Sequence, residues 1–231
     1  MHDTDYIKIQ IYSRRQVLKL TGAAAVLGIL APASLVSSSL AVDVKGSKKL
    51  IAYFSMPETD RLGNMTRDED NSTVVINGTV LGNTQYVAKL IQEKTGGDIF
   101  RIEPQKPYPT DHRTLVKLAE EEQDRNDRPV LARQVADMDA YATIFIGYPN
   151  WWADMPMILY TFLESYDLSG KTVIPFNTHG GSGFSNTIRT ISRLQPNARV
   201  LKDGFTVSRD DVDSAEPDVA EWLVGLGYNQ R

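Results

Sequence analysis

The sequence contains no cysteine among its 231 residues. This absence excludes disulfide bonds, catalysis by a thiolate, and zinc or iron–sulfur centres with cysteine ligands. Histidine is also rare, and its three residues are too scattered to show the spacing of a metal site. Hydrophobic residues make up 42% of the chain, which is enough for an ordinary core. The sequence therefore predicts a globular protein without a bound metal.

Two phosphate-binding motifs and an excess of positive charge are absent as well. The chain lacks a Walker pattern, and no G-x-G-x-x-G fingerprint opens its first predicted helix. Residues 1–41 hold four of the 25 Lys/Arg and two of the 29 Asp/Glu, which leaves a net charge of −6 on residues 42–231. An acidic body argues against binding to nucleic acid. It suits a partner with a basic docking face.

The first 41 residues resemble a twin-arginine export signal. Arg14 and Arg15 precede the uncharged stretch "TGAAAVLGILAPASLVSSSLAV", and "SLA" at residues 39–41 fits a cleavage site. One departure is Val17, which stands where phenylalanine is usual. The alternative is an uncleaved membrane anchor of about twenty residues. We expect an exported bacterial protein, periplasmic or extracellular, that meets the membrane only through this segment if it is uncleaved.

From Leu50 onwards, apolar strand-like segments alternate with helix-like segments. Five strands are predicted, in "KLIAYFS", "DIFRIEP", "ATIFIGYP", "KTVIPFNTHGG" and "RVLKDGFTV". The alternation implies parallel pairing with right-handed crossovers, and the uninterrupted apolar strands imply helices on both faces of the sheet. The sequence therefore predicts an α/β fold in residues 42–231, with one open, doubly wound, five-stranded parallel sheet between two layers of helices.

In a doubly wound fold, ligands bind beyond the carboxyl ends of the strands, so the loops after the strands are the candidate sites. Ser55 ends the first strand, and "GNT" at residues 82–84 opens the first helix. Hydroxyl groups, an amide and the free N–H groups of a helix N-terminus are suited to a phosphate monoester. The alternative is that Asn83 and Thr84 only cap the helix.

The loop after the third strand contains two adjacent tryptophans, in "PNWW" from Pro149 to Trp152. An exposed indole offers a flat surface on which a planar ligand can stack. A packed hydrophobic corner or a dimer contact is the alternative interpretation of Trp151 and Trp152.

The loop after the fourth strand reads "NTHGGSGFSN" from Asn177 to Asn186, with His179 near its start. Three glycines in four positions allow the backbone to approach a ligand and to present unobstructed N–H groups. A flexible connector is the alternative. Together, the three loops describe a phosphate cradle, an aromatic plate and an amide-rich edge, which is a site suited to flavin mononucleotide (FMN).

These segments resemble the bacterial flavodoxin-like family over about residues 50–205. The resemblance rests on "IAYFS", "GNTQYVAKLIQEKTGGDIFRIEPQKPYP", "YATIFIGYPNWWADMPMILYTFLESYDLSGKTVIPFNTHGGSGFSNTI" and "ARVLKDGF". It implies a three-layer α/β/α, flavodoxin-like fold with non-covalently bound FMN. It also implies three sets of ligand residues: Ser55, Asn83 and Thr84 for the phosphate, Pro149, Asn150, Trp151 and Trp152 for the ring, and Thr178, His179, Gly180, Gly181 and Gly183 for its pyrimidine edge.

One segment departs from the flavodoxin pattern. Residues 56–81 separate the first strand from "GNT", whereas flavodoxins cover this distance in a few residues. The segment 74–80 contains Asn77-Gly78 and is predicted to form a small hairpin. The insertion is interpreted either as a surface excursion or as a lid over the phosphate or the flavin. It leaves open whether Ser55 reaches the phosphate.

Three functions are compatible with these features. The first is electron transfer outside the cytoplasm by an FMN-binding carrier that serves a redox partner protein or a small-molecule acceptor. The second is an NAD(P)H-dependent flavin or quinone reductase on the same fold, which needs no separate nicotinamide fingerprint. The third is a binding module without redox activity that has lost FMN. In the first two, the redox chemistry belongs to the cofactor, and the protein tunes it.

Overall fold

The computed structural model of the protein describes residues 48–228. The predicted export signal, residues 1–41, and the predicted start of the mature chain at residue 42 lie outside the described residues. Between residues 48 and 228, no helix is both long enough and apolar enough to cross a membrane.

Strands and helices alternate along the described chain. The strands are β1 (Lys48–Tyr53), β2 (Thr73–Ile76), β3 (Thr79–Gly82), β4 (Asp98–Arg101), β5 (Tyr141–Pro149), β6 (Thr172–His179), β7 (Arg199–Val200) and β8 (Phe205–Ser208). The α-helices are α1 (Arg67–Ser72), α2 (Asn83–Thr95), α3 (His112–Asp124), α4 (Met157–Glu164), α5 (Thr187–Leu194) and α6 (Glu216–Gly225). Two short 3₁₀ helices cover Met138–Ala140 and Arg209–Ser214.

The main sheet is parallel and has the order β4–β1–β5–β6, with β7 and β8 both paired to β6. From β1 the chain moves to one side to form β4, and then returns to the other side to form β5. The strand order therefore reverses between β1 and β5, where a doubly wound sheet forms its ligand crevice. The predicted α/β fold with three layers is confirmed.

The sheet is buried on both faces because its strands are apolar throughout. In β5, Ile144, Ile146 and Tyr148 belong to the core that contains α4 and α5, whereas Phe145 belongs to the core that contains α2 and α6. Successive side chains of a strand point to opposite faces, so one strand supplies both cores. This is the physical basis of the three layers.

The fifth position of the sheet is divided, although the sequence predicts a single strand there. β7 pairs with the start of β6, and β8 pairs with its end. Between them, the backbone at Gly204 lies so close to the Pro175 carbonyl that a Cβ would overlap it. The chain therefore leaves the regular ladder at this point and rejoins it at Phe205, which keeps the carboxyl end of β8 in line with the other strand ends.

The insertion folds as α1 followed by an antiparallel hairpin of β2 and β3. The hairpin prediction is confirmed: Asn77 and Gly78 have φ angles of 51° and 75°, as a tight two-residue turn requires. Thr66 caps α1 in a reciprocal capping box with Glu69. The last residue of β3, Gly82, is also the residue before α2, so the hairpin delivers the chain directly to the helix N-terminus.

The sequence predicts that Gly96-Gly97 end the helix that contains "NTQYVAKLIQEKT" and that Ser185 caps the helix that contains "NTIRTISRL". Gly96 ends α2 with a φ of 65°, as predicted. The predicted cap of α5, Ser185, is wrong: Asn186 is the cap residue and makes no side-chain capping bond. Ser185 instead has a φ of 50° in the preceding turn, and its hydroxyl donates to the Ser182 carbonyl. The Ser185 hydroxyl therefore forms its hydrogen bond within this turn and does not cap the helix.

Candidate functional site

A cavity of about 280 Å³ lies beyond the carboxyl ends of β1, β5 and β6 and the N-terminus of α2. Parallel strands end at the same edge of the sheet, so residues far apart in sequence meet there. Ten of the twelve predicted site residues line it: Ser55, Asn83, Thr84, Pro149, Asn150, Trp151, Trp152, Thr178, His179 and Gly180. These residues are called the strand-end wall.

The remaining two predicted residues support the loop after β6 and do not line the cavity. The Gly181 N–H donates to Nδ1 of His179 at 2.8 Å. The Gly183 carbonyl accepts from the side-chain amides of Asn150 and Asn177, at 2.9 and 2.8 Å. Both glycines have positive φ angles, so they shape the loop that the resemblance assigned to the ligand.

Ser55 remains beside the helix N-terminus despite the insertion. A Cβ on Gly82 would overlap the Ser55 Oγ, so the Gly82 backbone is in close contact with the Ser55 side chain. Ser55 is buried, as are Asn83 and Thr84. The hairpin therefore brings the chain back to the carboxyl end of β1. As a result, Ser55, Asn83 and Thr84 form one end of the cavity.

Hydroxyl and amide groups at this end have unused hydrogen-bonding capacity. Thr84 and Thr178 share one hydrogen bond of 2.8 Å between their hydroxyls, which consumes one of their two protons and leaves the other for a ligand. Asn83 donates to the Asn71 carbonyl at 2.8 Å, while its Oδ1 is buried with no partner among the described residues. The first turn of α2 adds backbone N–H groups that have no intrahelical acceptor.

The two tryptophans have different environments. Trp151 packs edge-on against Phe54 and Tyr108, with ring centroids 5.4 and 5.6 Å away. Trp152 is 49% exposed, and its Nε1 donates to the Val116 carbonyl on α3 at 3.2 Å. The packed-corner interpretation therefore applies to Trp151, and Trp152 presents the more accessible indole.

His179 lines the cavity as a neutral hydrogen-bond donor. Burial lowers the pKa of His179, and the nearby Asp211 carboxylate opposes this shift. Because Nδ1 accepts the Gly181 N–H, we assign the proton of the neutral ring to Nε2. Its neighbour Gly180 lies against Arg209, whose Cζ would be 3.2 Å from a Cβ at this position.

A family model described as Flavodoxin matches residues 73–225, which is more than half of the chain. The chain belongs to the flavodoxin family. No protein among those with curated descriptions matches it significantly.

Solved structures agree with this assignment to the flavodoxins. A candidate flavoprotein from Bacteroides eggerthii is 28% identical, and the match covers 79% of this chain and 99% of that one, with a TM-score of 0.60. Another candidate, from Bacteroides uniformis, is 32% identical over 74% and 97% of the two chains, with a TM-score of 0.55. A flavoprotein from Lactobacillus acidophilus, solved in complex with FMN, shares the fold at 20% identity over 77% and 99%, with a TM-score of 0.51.

The opposite side of the cavity in this flavodoxin comes from the insertion and α3. Its members are Met56, Glu58, Asp68, Asn71, Ser72, His112, Leu115, Val116 and Ala119. Five of these residues belong to the insertion, which the sequence treated only as an excursion or a lid. No pattern in the sequence assigned any of the nine to the site.

Arg209 is a further site residue that the sequence did not predict. It lines the cavity directly after β8, so the same rule that identified the other loops applies to it. The predicted fifth strand ends at Val207, one residue before the end of β8, so Arg209 could have been identified from the sequence. The described residues contain no cluster of His, Asp or Glu suited to a metal ion.

Proposed function

We propose that this protein binds FMN non-covalently in the cavity beyond the carboxyl ends of β1, β5 and β6. It would use the FMN for electron transfer outside the cytoplasm. The observation that carries the proposal is the meeting of three separate loops, after β1, β5 and β6, around one cavity whose polar end is formed by Ser55, Asn83 and Thr84. The FMN found in the Lactobacillus acidophilus flavoprotein, which has the same fold, supports it.

The residues present fit the parts of FMN. Thr84 and the first turn of α2 supply donors for the phosphate, and the unpaired Asn83 Oδ1 would accept from a ribityl hydroxyl. Trp152 would lie beside the ring, and Nε2 of His179 would donate at its pyrimidine edge. FMN supplies the redox chemistry when it is bound.

The size of the cavity favours a ligand that stays partly exposed. Its volume of about 280 Å³ is at the lower limit of ligand pockets, which are roughly 300–1,000 Å³. A partly exposed ring allows electrons to pass directly to a partner. The acidic net charge of residues 42–231 suits a redox partner with a basic docking face, and a small-molecule acceptor is the other route.

The proposed site of action rests on the sequence of residues 1–41. The paired arginines and the apolar stretch after them support export by the twin-arginine route, and therefore a periplasmic or extracellular location. Fusing residues 1–41 to a reporter would test this step. Export that stops when Arg14 and Arg15 are both replaced by Lys is the expected result.

An absorption spectrum of the purified protein tests the cofactor. We expect the two-band spectrum of bound oxidised flavin, or its appearance when FMN is added to the apoprotein at one equivalent. A colourless protein that takes up no added FMN would contradict the proposal and would select the third function, a binding module without redox activity.

The second candidate function is an NAD(P)H-dependent flavin or quinone reductase. It is favoured by the ionisable side chains Glu58 and His112, which line the same cavity and offer contacts to a small substrate. Mixing the FMN-loaded protein with NADPH and a quinone separates the two functions. Rapid flavin bleaching with turnover indicates a reductase, whereas inertness to NADPH combined with reduction by a partner protein indicates a carrier.

A further inference from the structure

Arg209 brings a fixed positive charge to the cavity. It is the first residue after β8. Among the described residues that line the cavity, it is the one lysine or arginine, whereas two carboxyl side chains, Glu58 and Asp68, line it as well. A guanidinium group stays charged at every physiological pH, so an anionic ligand of this cavity has Arg209 as its permanent counter-charge.

The guanidinium group of Arg209 has unused hydrogen-bond donors. Among residues 48–228, its one carboxylate contact is with the neighbouring Asp210, whose Oδ1 lies 3.8 Å from Nε. That distance is too long for a hydrogen bond, and the two terminal nitrogens have no partner within the same range of residues. The side chain is 41% exposed. Its planar fork of donors is therefore available to a ligand.

The loop after β6 holds this guanidinium group in place. A Cβ at position 180 would be 3.2 Å from Cζ and 3.3 Å from Nη1 of Arg209, so the side chain packs directly against the Gly180 backbone. His179 pairs with Ser208 in the ladder between β6 and β8, which brings the residues that follow them, Gly180 and Arg209, side by side. The sheet thereby fixes Arg209 at the edge of the cavity.

Arg209 lies on the same face of the sheet as α2. Successive residues of a strand alternate between the two faces, and Val207, two residues before Arg209, belongs to the core that contains α2. Val212, in the 3₁₀ helix that begins with Arg209, belongs to the same core. Trp151 packs against the other core. Arg209 is therefore grouped with the N-terminus of α2 and not with this indole.

Thr84 connects the N-terminus of α2 to the end of β6. Its hydroxyl is 2.8 Å from that of Thr178, and Thr178 pairs with Val207 of β8. The start of α2, the end of β6 and the end of β8 therefore meet on one face of the sheet. A phosphate that accepts from Thr84 and from the first turn of α2 is directed to the side of the cavity on which Arg209 stands.

We propose that Arg209 binds the phosphate of FMN, and that it thereby makes the site select FMN over riboflavin, which lacks the phosphate. The inference rests on the proposed function. It adds a charged residue to the phosphate ligands that the resemblance implies, Ser55, Asn83 and Thr84, which are all neutral. A phosphate monoester carries a charge of about −1.5 to −2 at pH 7, and Arg209 would supply both an opposite charge and paired N–H donors.

The carboxyl groups in the cavity increase the need for this charge. Glu58 and Asp68 line the side that the insertion and α3 build, and an ionised carboxylate repels an anion in a partly enclosed site. Arg209 offsets this repulsion for FMN. Riboflavin is neutral, so neither the carboxylates nor Arg209 change its affinity greatly. The ratio of the FMN affinity to the riboflavin affinity therefore measures what Arg209 contributes.

Fluorescence titration of the two flavins with the FMN-free full chain tests the assignment. We expect Arg209→Gln to bind FMN about tenfold more weakly and riboflavin unchanged, because FMN alone carries the charge. Arg209→Lys keeps the charge but loses the fork of donors, and should recover part of the loss. Arg189→Gln is the matched control, since it removes the same charge from an exposed position on α5 that does not line the cavity. It should bind both flavins as the wild type does.

Two further measurements separate an ion pair from a structural role. Salt screens the attraction between Arg209 and the phosphate, so added NaCl should weaken FMN binding in the wild type and have less effect in Arg209→Gln. The ³¹P resonance of bound FMN should shift in Arg209→Gln and stay in place in Arg189→Gln. Thermal melting of each FMN-loaded variant reports whether it is folded.

The possible failures of this inference are distinguishable. Equal FMN affinity in the wild type and Arg209→Gln would overturn the assignment while FMN binding stands. An equal loss of affinity for FMN and riboflavin would also overturn it, because the effect of Arg209 would then act on the ring or on the fold and not on the phosphate. Failure of the wild type to take up FMN would overturn the proposed function and with it the inference.

Discussion

The two walls of the cavity differ in how the chain builds them. The strand-end wall is formed where parallel strands stop, so its residues are positioned by the sheet and by two cores. The opposite side of the cavity is called the insertion wall, and it combines residues of the insertion with residues of α3: Met56, Glu58, Asp68, Asn71, Ser72, His112, Leu115, Val116 and Ala119. The comparison teaches that the conserved layout of the sheet supplies most of the neutral hydrogen-bonding groups of the site, and that the added segment supplies its carboxylates, Glu58 and Asp68.

The largest effect is expected at the strand-end wall, where Thr84→Val removes a buried hydroxyl. The variant loses both the donor to the FMN phosphate and the bond to Thr178. We expect FMN binding to weaken by about 2 kcal/mol, the range of a hydrogen bond to a charged group. Fluorescence titration of FMN with the apoprotein measures it. Ser192→Ala, an exposed hydroxyl on α5, is the control and should bind FMN normally.

Removal of the insertion is expected to have a smaller effect on FMN. Deleting residues 60–78 eliminates α1 and most of the hairpin, and with them the Asn71 carbonyl that holds Asn83. We expect FMN to dissociate about tenfold faster, a cost of about 1.4 kcal/mol. Stopped-flow measurement of FMN release checks this. If FMN affinity and flavin reactivity are both unchanged, the segment is a surface excursion and not a lid.

A buried carboxyl behind the strand-end wall should make stability depend on pH. Glu122 accepts from the Tyr108 hydroxyl at 2.7 Å, and Tyr108 packs on Trp151. Burial raises the pKa of Glu122 above 4.5, so the folded state keeps this proton more strongly than the unfolded state. The stabilisation that Glu122 adds to the free energy of unfolding is therefore fully present below pH 4.5. It is lost as the pH rises through the raised pKa.

Glu122→Gln keeps an acceptor for Tyr108 and removes this titration. Relative to the wild type, we expect the variant to gain in the free energy of unfolding as the pH rises from 4.5 to neutrality. Urea denaturation at several pH values measures the gain. A constant difference across the pH range would show that Glu122 does not carry the effect.

The smallest effect on the cofactor is expected from Thr66→Ala, which breaks the capping box of α1. Loss of an N-cap costs about 1 kcal/mol, and we expect this loss to be confined to α1 because the helix has no buried residue. Faster amide hydrogen exchange in residues 67–72 with unchanged FMN affinity is the expected result. A large loss of FMN affinity would show that the two walls are coupled.

The strand-end wall was predictable because it follows from general rules. Apolar strands alternating with helices fix the parallel sheet, and the sheet brings "GNT", "PNWW" and "NTHGG" to one edge. The hairpin was predictable from Asn77-Gly78, because few residues other than these favour that turn. Arg209 could have been predicted by the same rule, because it lies two residues after the predicted end of the fifth strand at Val207.

The insertion wall was not predictable, since it depends on one contact between distant segments. Glu58 and His112 are 54 positions apart in the sequence, and no local pattern links a residue of an irregular stretch to the first turn of α3. From its charge, the run Glu120-Glu121-Glu122 is predicted to be a solvated helix face and not an acid–base pair. Glu122 is in fact buried, and its spacing of seven from Leu115 could have indicated this.

The bonds at Gly183 have a consequence for motion. Asn150 follows β5 and Asn177 lies in β6, yet both side-chain amides donate to the same carbonyl, and the Asn150 backbone N–H donates to Thr178. The tryptophan segment and the glycine segment are thereby tied together across neighbouring strands. Displacement of one segment therefore requires either that the other moves with it or that these three hydrogen bonds break.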